Sequence, residues 1–334
     1  MARRERVTIN DVARDAGVSV ATVSKVINGR YGVASATSSR VMAVIETLGY
    51  ESSLVARSLR SHKTNVIGIL VAEFEPFSTE ILKGASAAIA GTGYELLAYS
   101  GGGRPGGNVG WERRYLSRLS GTLIDGAVLV TPTVVDPDGS VPVVAIDPHA
   151  GPSGLPTIDS DNLAGALLAT EHLIRLGHRR IGFLGGRPDL ESARLREEGY
   201  RAALAAAGIP VDPELIRVGG YKRETAAEPA AELLRLADRP TAVFAANDLS
   251  AIVTMETAAH LGLRVPDDLS VIGFDNVPES ALTTPPLTTI RQPMQQMGVE
   301  AIQLLIRLMD GTADPSTHVR LATELVERGS CRAV

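Results

Sequence analysis

The sequence has one cysteine and no long apolar run, and both absences narrow the class of protein. Cys331 has no internal disulfide partner, so a disulfide framework is excluded and a reducing compartment is favoured. No apolar stretch approaches the roughly 20 residues of a membrane-spanning helix. The basic start MARRERVTIND is not followed by an apolar segment, whereas a secretory signal has one. We therefore expect a cytoplasmic protein that does not interact with a membrane.

Motifs for catalysis, for metal binding and for nucleotide cofactors are also missing. The six histidines have no metal-ligand spacing, and no serine lies in a G-x-S-x-G setting. Gly182, Gly185 and Gly186 have the wrong spacing for G-x-G-x-x-G, and there is no phosphate-binding P-loop motif. The glycine-rich stretch 101–108 is typical of a loop. We therefore predict that the protein is not an enzyme and has no catalytic residues, no metal site and no cofactor.

Charge is distributed unevenly along the 334 residues. Residues 1–63 contain ten Lys/Arg and five Asp/Glu, a net charge of +5, whereas the whole chain carries −5. The remaining residues therefore carry −10. A basic N-terminal segment on an acidic body predicts that the segment binds a polyanion and that the body is repelled by it.

Residues 8–49 have the pattern of three short helices. The first starts at Thr8, and Gly17 breaks it before a second helix over 19–27. A third helix is predicted over 35–48.

The second of these helices has two unlike faces. Val23, Val26 and Ile27 form an apolar face, and small or polar side chains form the other. Short side chains let a helix backbone approach a DNA groove closely, and a lysine among them reaches guanine or phosphate. The pattern favours a helix-turn-helix with recognition helix 19–27, although a plain helical packing module is the alternative from pattern alone. The expected DNA contacts in this segment are Thr8, Ser19, Val20, Ala21, Thr22, Ser24, Lys25 and Asn28.

The first 60 residues resemble a known family. The stretches VTINDVARDAGVSVATVSKVING, LGY and VARSLRS are similar to those of the lac-repressor (LacI/GalR) family of bacterial transcription regulators. The resemblance implies a hinge helix after the third helix, with Leu59 wedged into the minor groove and Ala56 one turn earlier. Insertion of an apolar side chain between base steps kinks DNA. These two residues complete the expected DNA contacts.

The sequence departs from the family pattern at three places in this segment. Ser52-Ser53 replaces the usual Pro-Asn and should loosen the start of the hinge, because proline fixes φ. Ser38 replaces an arginine, which should remove a phosphate contact. Ala34 replaces the usual serine before the third helix.

From Asn65 onward, apolar strands alternate with helices. Examples of the strands are NVIGILVAE (65–73), GAVLV (126–130) and LSVIGFD (269–275). Continuous apolar strands joined by helices predict parallel sheets covered on both faces, and a second set of such units predicts two similar subdomains. With the resemblance, the expected fold class is α/β. A helix-turn-helix head and a hinge helix precede a periplasmic-binding-protein-like effector domain of two doubly wound parallel-sheet subdomains.

Polar residues at the C-terminal ends of the predicted strands are candidates for ligand binding, because ligands of such sheets bind there. Asp, Asn and Arg together suit a polyol, although each alone could be a helix cap or part of a surface pair. The resemblance implies a sugar in the cleft between the subdomains, bound through local motifs such as SARLR, AAND and GFDN. The expected effector contacts are Phe77, Ser78, Asp161, Arg196, Tyr221, Asn247, Asp275 and Gln292.

The resemblance also implies that the chain crosses between the subdomains more than once. The expected segments are a DNA-binding head (1–50), a hinge helix and linker (51–64), a first subdomain (65–161 with 293–318) and a second subdomain (162–292 with 319–334).

The expected function is repression of sugar uptake or catabolism genes. A homodimer would bind a pseudo-palindromic operator and be released by a small saccharide. The stretch GWERRYLSRLSGTLIDG (110–126) resembles regulators of xylose or xylo-oligosaccharide use. A corepressor that strengthens DNA binding is the opposite possibility. A sugar-binding protein without a DNA role leaves the head unexplained, and an oxidoreductase lacks its nucleotide fingerprint.

Overall fold

The structure is a computed structural model that describes residues 7–27, 31–50, 63–101, 110–133, 141–152 and 154–334. It divides into two compact units, a head (residues 1–64) and a body (residues 65–334), each with its own hydrophobic core. Asn28, Ala56 and Leu59 lie outside the described residues, as do Ser52, Ser53 and the predicted hinge helix. Most of the glycine-rich stretch 101–108 lies outside them as well.

The head consists of three helices, as the pattern predicts. They are α1 (Ile9–Asp15), α2 (Val20–Ile27) and α3 (Ser35–Leu48). Gly49 ends α3 with a φ of 60°, a left-handed conformation that favours glycine. The buried core between the helices is formed by Val12, Ala13, Ala16, Val23 and Val41.

Side-chain hydrogen bonds mark where α1 and α2 begin. The Asp11 carboxylate accepts hydrogen bonds from the Thr8 N–H (2.9 Å) and the Thr8 hydroxyl (2.7 Å). The Ser19 hydroxyl accepts one from the Thr22 N–H at 3.1 Å. Ala34 precedes α3 without a side-chain hydrogen bond. The start of α3 therefore lacks the stabilisation, typically about 1 kcal/mol, that a serine cap supplies.

The body is built from alternating strands and helices. Its strands are β1 (Val66–Val71), β2 (Glu95–Ser100), β3 (Gly126–Val130), β4 (Val143–Ile146), β5 (Thr157–Ser160), β6 (Ile181–Gly185), β7 (Ile216–Val218), β8 (Ala242–Ala245), β9 (Ser270–Asp275), β10 (Thr288–Arg291), β11 (His318–Leu321) and β12 (Glu324–Val326). Its helices are α4 (Pro76–Ile89), α5 (Trp111–Leu119), α6 (Asn162–Arg175), α7 (Glu191–Ala206), α8 (Arg223–Leu234), α9 (Asp248–His260) and α10 (Met294–Met309). None of the helices in the described part of the chain is long and apolar enough to cross a membrane.

The strands form two six-stranded sheets, in the orders β11-β5-β4-β3-β1-β2 and β12-β10-β9-β8-β6-β7. Among the described strands every pair is parallel except β10 with β12. The central strands β1, β3, β4, β8 and β9 are buried at every position, because helices cover both faces of a parallel sheet. The predicted pair of doubly wound sheets is confirmed. We call the first sheet with α4, α5 and α10 the first subdomain, and the second sheet with α6 to α9 the second subdomain.

The chain crosses between the subdomains three times: after β5, between β10 and α10, and between β11 and β12. Helix α10 returns to the first subdomain, where it packs against α4. Two glycines allow this close approach. A Cβ atom at Gly84 would lie 1.8 Å from the Gln295 carbonyl oxygen, and one at Gly298 would lie 2.2 Å from the Ile81 carbonyl oxygen.

The predicted boundary at residue 319 is wrong. Residues 319–321 belong to β11, which pairs with β5 of the first sheet, so the last crossover lies at 322–323. The partner choice has an electrostatic reason, because the buried Asp159 of β5 pairs with Arg320 of β11 at 3.0 Å. Strand β5 was itself hard to foresee, since Ile158 is its only large apolar residue.

Candidate functional site

The outward face of α2 is formed by small side chains. Its exposed residues, with the preceding cap, are Ser19, Val20, Ala21 and Lys25, while Thr22 and Ser24 are half-buried. Lys25 is the only charged residue of the helix. A face of this kind can lie against base edges in a major groove without repelling the flanking phosphates. Thr8, at the start of α1, is also exposed.

The body contains a cavity of about 660 Å³ between the C-terminal ends of the strands of the two sheets. Six of the eight predicted effector contacts line it: Phe77, Ser78, Arg196, Tyr221, Asn247 and Asp275. Asn247 also caps α9, where its side-chain oxygen accepts a hydrogen bond from the Ser250 N–H at 3.0 Å. The structure therefore brings together predicted residues from several strand ends and from α4 and α7.

The other two predicted contacts, Asp161 and Gln292, are not among the residues that line the cavity. The Asp161 carboxylate caps α6 by accepting a hydrogen bond from the Ala164 N–H at 3.0 Å. The Gln292 amide donates to the Asp275 carboxylate at 2.6 Å, and the Gln292 oxygen accepts a hydrogen bond from the Ser160 hydroxyl. Asp161 thus has a helix-capping role, and Gln292 holds Asp275 from behind the cavity wall.

Arg196 is the central cation of the cavity and is only 3% exposed. Its Nε donates to the Asn162 side-chain oxygen at 2.9 Å, and its Nη1 donates to the Ala246 carbonyl at 2.5 Å. Nη1 also lies 3.5 Å from the Asp275 carboxylate. The guanidinium stacks over Phe274, 3.8 Å from the ring centroid. These contacts fix its orientation, so a ligand meets a preorganised donor.

Two carboxyl groups, the half-buried Asp147 and the buried Asp275, lie near Arg196 and come from different subdomains. Burial raises the pKa of Asp147 to about 6, although Arg196 acts in the opposite direction. Burial likewise raises the pKa of Asp275 to about 6, against the lowering effects of Arg196 and of the hydrogen bond from Gln292. Both carboxyls are therefore hydrogen-bond acceptors near neutral pH and gain protons on mild acidification.

Left-handed backbone conformations concentrate at this cavity. Thr131, Asp147, Tyr221 and Asp275 line it and have φ values of 49°, 51°, 69° and 119°. A non-glycine residue in this region costs energy that the surrounding fold must offset, and such residues cluster at functional sites. Each of the four lies at or near the C-terminal end of a strand.

An ion pair joins the two subdomains at the rim of the cavity. Lys222 Nζ lies 2.8 Å from both carboxylate oxygens of Glu73, and 3.9 Å from the Glu75 carboxylate. This hydrogen bond lowers the pKa of Glu73, whereas burial raises the pKa of Glu75. A second contact between the subdomains is the hydrogen bond from the Glu191 N–H to the His149 carbonyl at 2.8 Å.

Comparisons with known proteins identify the family. A model of bacterial regulatory proteins of the lacI family matches residues 8–53, and a model of a periplasmic binding protein-like domain matches residues 170–331. The HTH-type transcriptional repressor PurR of Photobacterium profundum is 38% identical over 336 residues, which cover 97% of this chain and 98% of that protein. The chain belongs to the lacI family.

Other similar proteins match this chain over nearly its whole length. The HTH-type transcriptional repressor CytR of Escherichia coli is 34% identical over 334 residues, covering 98% of this chain and 97% of CytR. The lac repressor dimer bound to operator and the anti-inducer ONPF has a TM-score of 0.84 at 29% identity, covering 98% of this chain and all of that chain. A complex of the transcriptional regulator CelR with cellobiose has a TM-score of 0.73 at 32% identity, covering 97% of this chain and all of that one.

The chain is therefore a DNA-binding transcriptional repressor of the lacI family, as PurR, CytR and the lac repressor are repressors. The resemblance and the fold class predicted from the sequence are confirmed.

Sequence reasoning missed several residues that line the cavity of this lacI-family body. Asp147 directly follows the apolar strand β4, and Asp275 is the last residue of β9. The rule that selected Asp275, a polar residue at the C-terminal end of a strand, therefore also selects Asp147. Thr131 follows β3 and carries the same signal. Trp111 gives no such signal, because it begins α5 well after the end of β2. The remaining lining residues that sequence reasoning did not select include Thr133, His149, Arg187, Asp189, Ser192 and Lys222.

Proposed function

We propose that this lacI-family repressor binds its operator as a homodimer and is released when a small, uncharged saccharide binds in the cavity. The observation that supports this most directly is the set of polar groups around Arg196. Two carboxyls with raised pKa values, Asp147 and Asp275, and one preorganised guanidinium lie within one cavity. Carboxylates accept hydrogen bonds from sugar hydroxyls, and a guanidinium donates to them. The aromatic rings of Phe77, Trp111 and Tyr221 supply apolar faces for the C–H surface of a sugar ring.

The charge of the cavity lining favours an uncharged ligand. The carboxylates of the lining are Glu73, Glu75, Asp147, Asp189, Glu191 and Asp275, and its cations are Arg187, Arg196 and Lys222. Glu73 pairs with Lys222, and Asp189 pairs with Arg187. Carboxylates remain in excess, so a phosphorylated sugar or a nucleotide would meet repulsion in the cavity.

A hydrogen-bonded chain connects the cavity to two of the three crossovers. Ser160 immediately precedes the first crossover, and Gln292 lies at the second. The Ser160 hydroxyl donates to Gln292, and Gln292 donates to Asp275. A ligand that contacts Asp275 and Asp147 therefore binds to both subdomains at once. Through Gln292 and Ser160 it is also connected to the crossover segments, which act as the hinge between the subdomains. By linkage, operator DNA must weaken saccharide binding by the same factor by which the saccharide weakens DNA binding.

The first test is a thermal-shift screen of the full chain against saccharides that include xylose, xylo-oligosaccharides and cellobiose. We expect at least one to raise the melting temperature, because a ligand at about 100 times its Kd stabilises the native state by roughly 2.7 kcal/mol. The same saccharide should release a labelled operator in fluorescence anisotropy. Tighter operator binding would instead make it a corepressor. A shift with a purine or a sugar phosphate, and with no saccharide, would overturn the proposed ligand class.

Saccharide affinity should fall on acidification. Asp147 and Asp275 have pKa values of about 6 in the free protein, and hydroxyl donors favour their ionised forms. Each carboxyl must then lose its proton on binding below that pH. This lowers the affinity by up to about tenfold per carboxyl between about pH 7.5 and pH 5. Isothermal titration at about pH 7.5, 6 and 5 measures this, and proton release below pH 6 is its direct signature. An affinity that stays constant across this range would contradict the assignment.

The same two carboxyls make the stability of the ligand-free protein depend on pH. Their folded-state pKa values are raised above the ordinary aspartate value of 3.8, so the folded state holds protons that the unfolded state has lost. Their contribution to the free energy of unfolding is therefore greatest below pH 3.8 and declines as the pH rises through about 6. A saccharide that pairs with the ionised carboxyls offsets this loss near neutral pH.

A further inference from the structure

The cavity extends well beyond Arg196 along the edge of the first sheet. Asp147 follows β4 and Gly101 follows β2, and the sheet order β4-β3-β1-β2 places three strand spacings between them. The strand ends are in register, since Ile146 is opposite Val130 and Val71 is opposite Ser100. Neighbouring strands lie about 4.8 Å apart, so the two ends are separated by roughly 14 Å. One strand spacing is close to the length of one pyranose ring.

Trp111 forms the wall at the far end of this edge. Its indole packs directly on the backbone of Gly101, where a Cβ atom would lie 2.2 Å from the ring. The residue lines the cavity and is 6% exposed. Its ring also contacts Tyr115 edge-on, with the centroids 5.9 Å apart. These contacts fix the orientation of the indole.

The indole N–H of Trp111 is buried and has no hydrogen-bond partner among the described residues. An indole nitrogen only donates, so the missing partner is an acceptor. Buried donors without a partner are rare in native proteins and call for a specific explanation. An acceptor oxygen of a ligand in the cavity supplies one. The Tyr221 hydroxyl, also in the lining, is likewise buried without a partner of ordinary geometry among the described residues. Burial raises the pKa of Tyr221, and the neighbouring Ser192 side chain acts in the opposite direction.

We propose that the cavity has two subsites and takes an uncharged saccharide of at least two rings. The inner ring lies at Arg196 and Asp275, and an oxygen of the outer ring accepts a hydrogen bond from Trp111 Nε1. This inference rests on the proposed saccharide function and specifies the size of the ligand. The outer ring packs against the indole, which is held by Gly101 and Tyr115.

Trp111 is the only tryptophan of the chain, so its fluorescence reports on the outer subsite directly. The experiment titrates the full chain with matched pairs: glucose with cellobiose, xylose with xylobiose, glucose with maltose, and galactose with lactose. We expect at least one disaccharide to bind at least about tenfold more tightly than its monosaccharide, the effect of one good hydrogen bond. That disaccharide should change the intrinsic fluorescence, and the monosaccharide should leave it nearly unchanged.

Two variants separate the indole N–H from the rest of the site. Trp111→Phe keeps an aromatic ring and removes the donor, so it should weaken disaccharide binding about tenfold without affecting the monosaccharide. Ser120→Ala is the matched control, because the Ser120 hydroxyl is also buried without a partner among the described residues but lies outside the cavity lining. It should leave both affinities unchanged. Melting temperatures establish that both variants fold.

The possible failures are distinguishable. If no saccharide of either size binds, the proposed function falls and the second subsite falls with it. If a monosaccharide binds as tightly as every disaccharide of the panel, the second subsite alone is overturned. The same holds if the Trp111→Phe variant binds the disaccharide with undiminished affinity.

Discussion

Replacing Arg196 by methionine leaves the repressor on its operator at saccharide concentrations that release the parent protein. The guanidinium lowers the pKa of both Asp147 and Asp275, and methionine supplies neither that charge nor a donor for the ligand. Each hydrogen bond that a charged donor makes to the ligand contributes roughly 1.5–3 kcal/mol, and the guanidinium offers more than one such donor. We therefore expect saccharide affinity to fall at least about 100-fold, or roughly 2.7 kcal/mol. Operator affinity in the absence of saccharide should change little.

Two further variants make this result specific to Arg196. Arg201→Met removes an exposed guanidinium further along α7, where Arg201 pairs with Glu197 outside the cavity lining, and should leave release unchanged. Arg196→Lys keeps the charge but loses the planar fork of donors, so its affinity should be intermediate. Operator anisotropy with increasing saccharide, together with the melting temperature of each variant, gives the comparison. If the Arg196→Met variant folds and releases operator at the parental concentration, Arg196 has no part in effector binding.

The contrast between Arg196 and Asp147 shows what sequence reasoning could reach. Arg196 and Asp275 lie in local motifs, SARLR and GFDN, that resemble the family. Asp147, like Asp275, lies at the C-terminal end of a strand. The sequence of one strand end does not predict which strand end of the other sheet lies opposite it. That arrangement depends on three crossovers that are widely separated along the chain. Trp111 depends in addition on a contact with the backbone of Gly101, which no local pattern encodes.

The fold shows the same division between local and long-range information. The helices of the head and the body strands predicted at 65–73, 126–130 and 269–275 lie within a few residues of those observed, because helical spacing and apolar runs are local signals. The pairing of β11 with β5 was not, because it joins Arg320 to Asp159 across 161 positions of the chain. A short edge strand has little periodicity of its own, so its partner is determined by contacts that exist only in the folded protein.

A glutamate in place of Ala21 should strongly weaken specific operator binding while leaving the body unchanged. Ala21 is exposed on α2, the helix whose only charged residue is Lys25. The new carboxylate would face base-edge acceptors and phosphates, which removes close contact and adds repulsion. A lost base contact costs about 1–3 kcal/mol per head, and the two heads of a homodimer double it, so we expect a loss of about 30-fold to 20,000-fold. Fluorescence anisotropy of a labelled operator measures the loss.

Ala43→Glu is the matched control for this variant. Ala43 is exposed on α3, so the two substitutions make the same change of charge and of side chain at exposed helical positions of the head. Long-range repulsion from the phosphates acts on both, is screened by salt and therefore shrinks as the salt concentration rises. A contact within the groove is lost only by Ala21→Glu and persists at high salt. Equal losses in the two variants would mean that the net charge of the head, and not insertion of α2, governs operator binding. Retention of the saccharide-induced thermal shift in the Ala21→Glu variant would show that the body still binds its ligand.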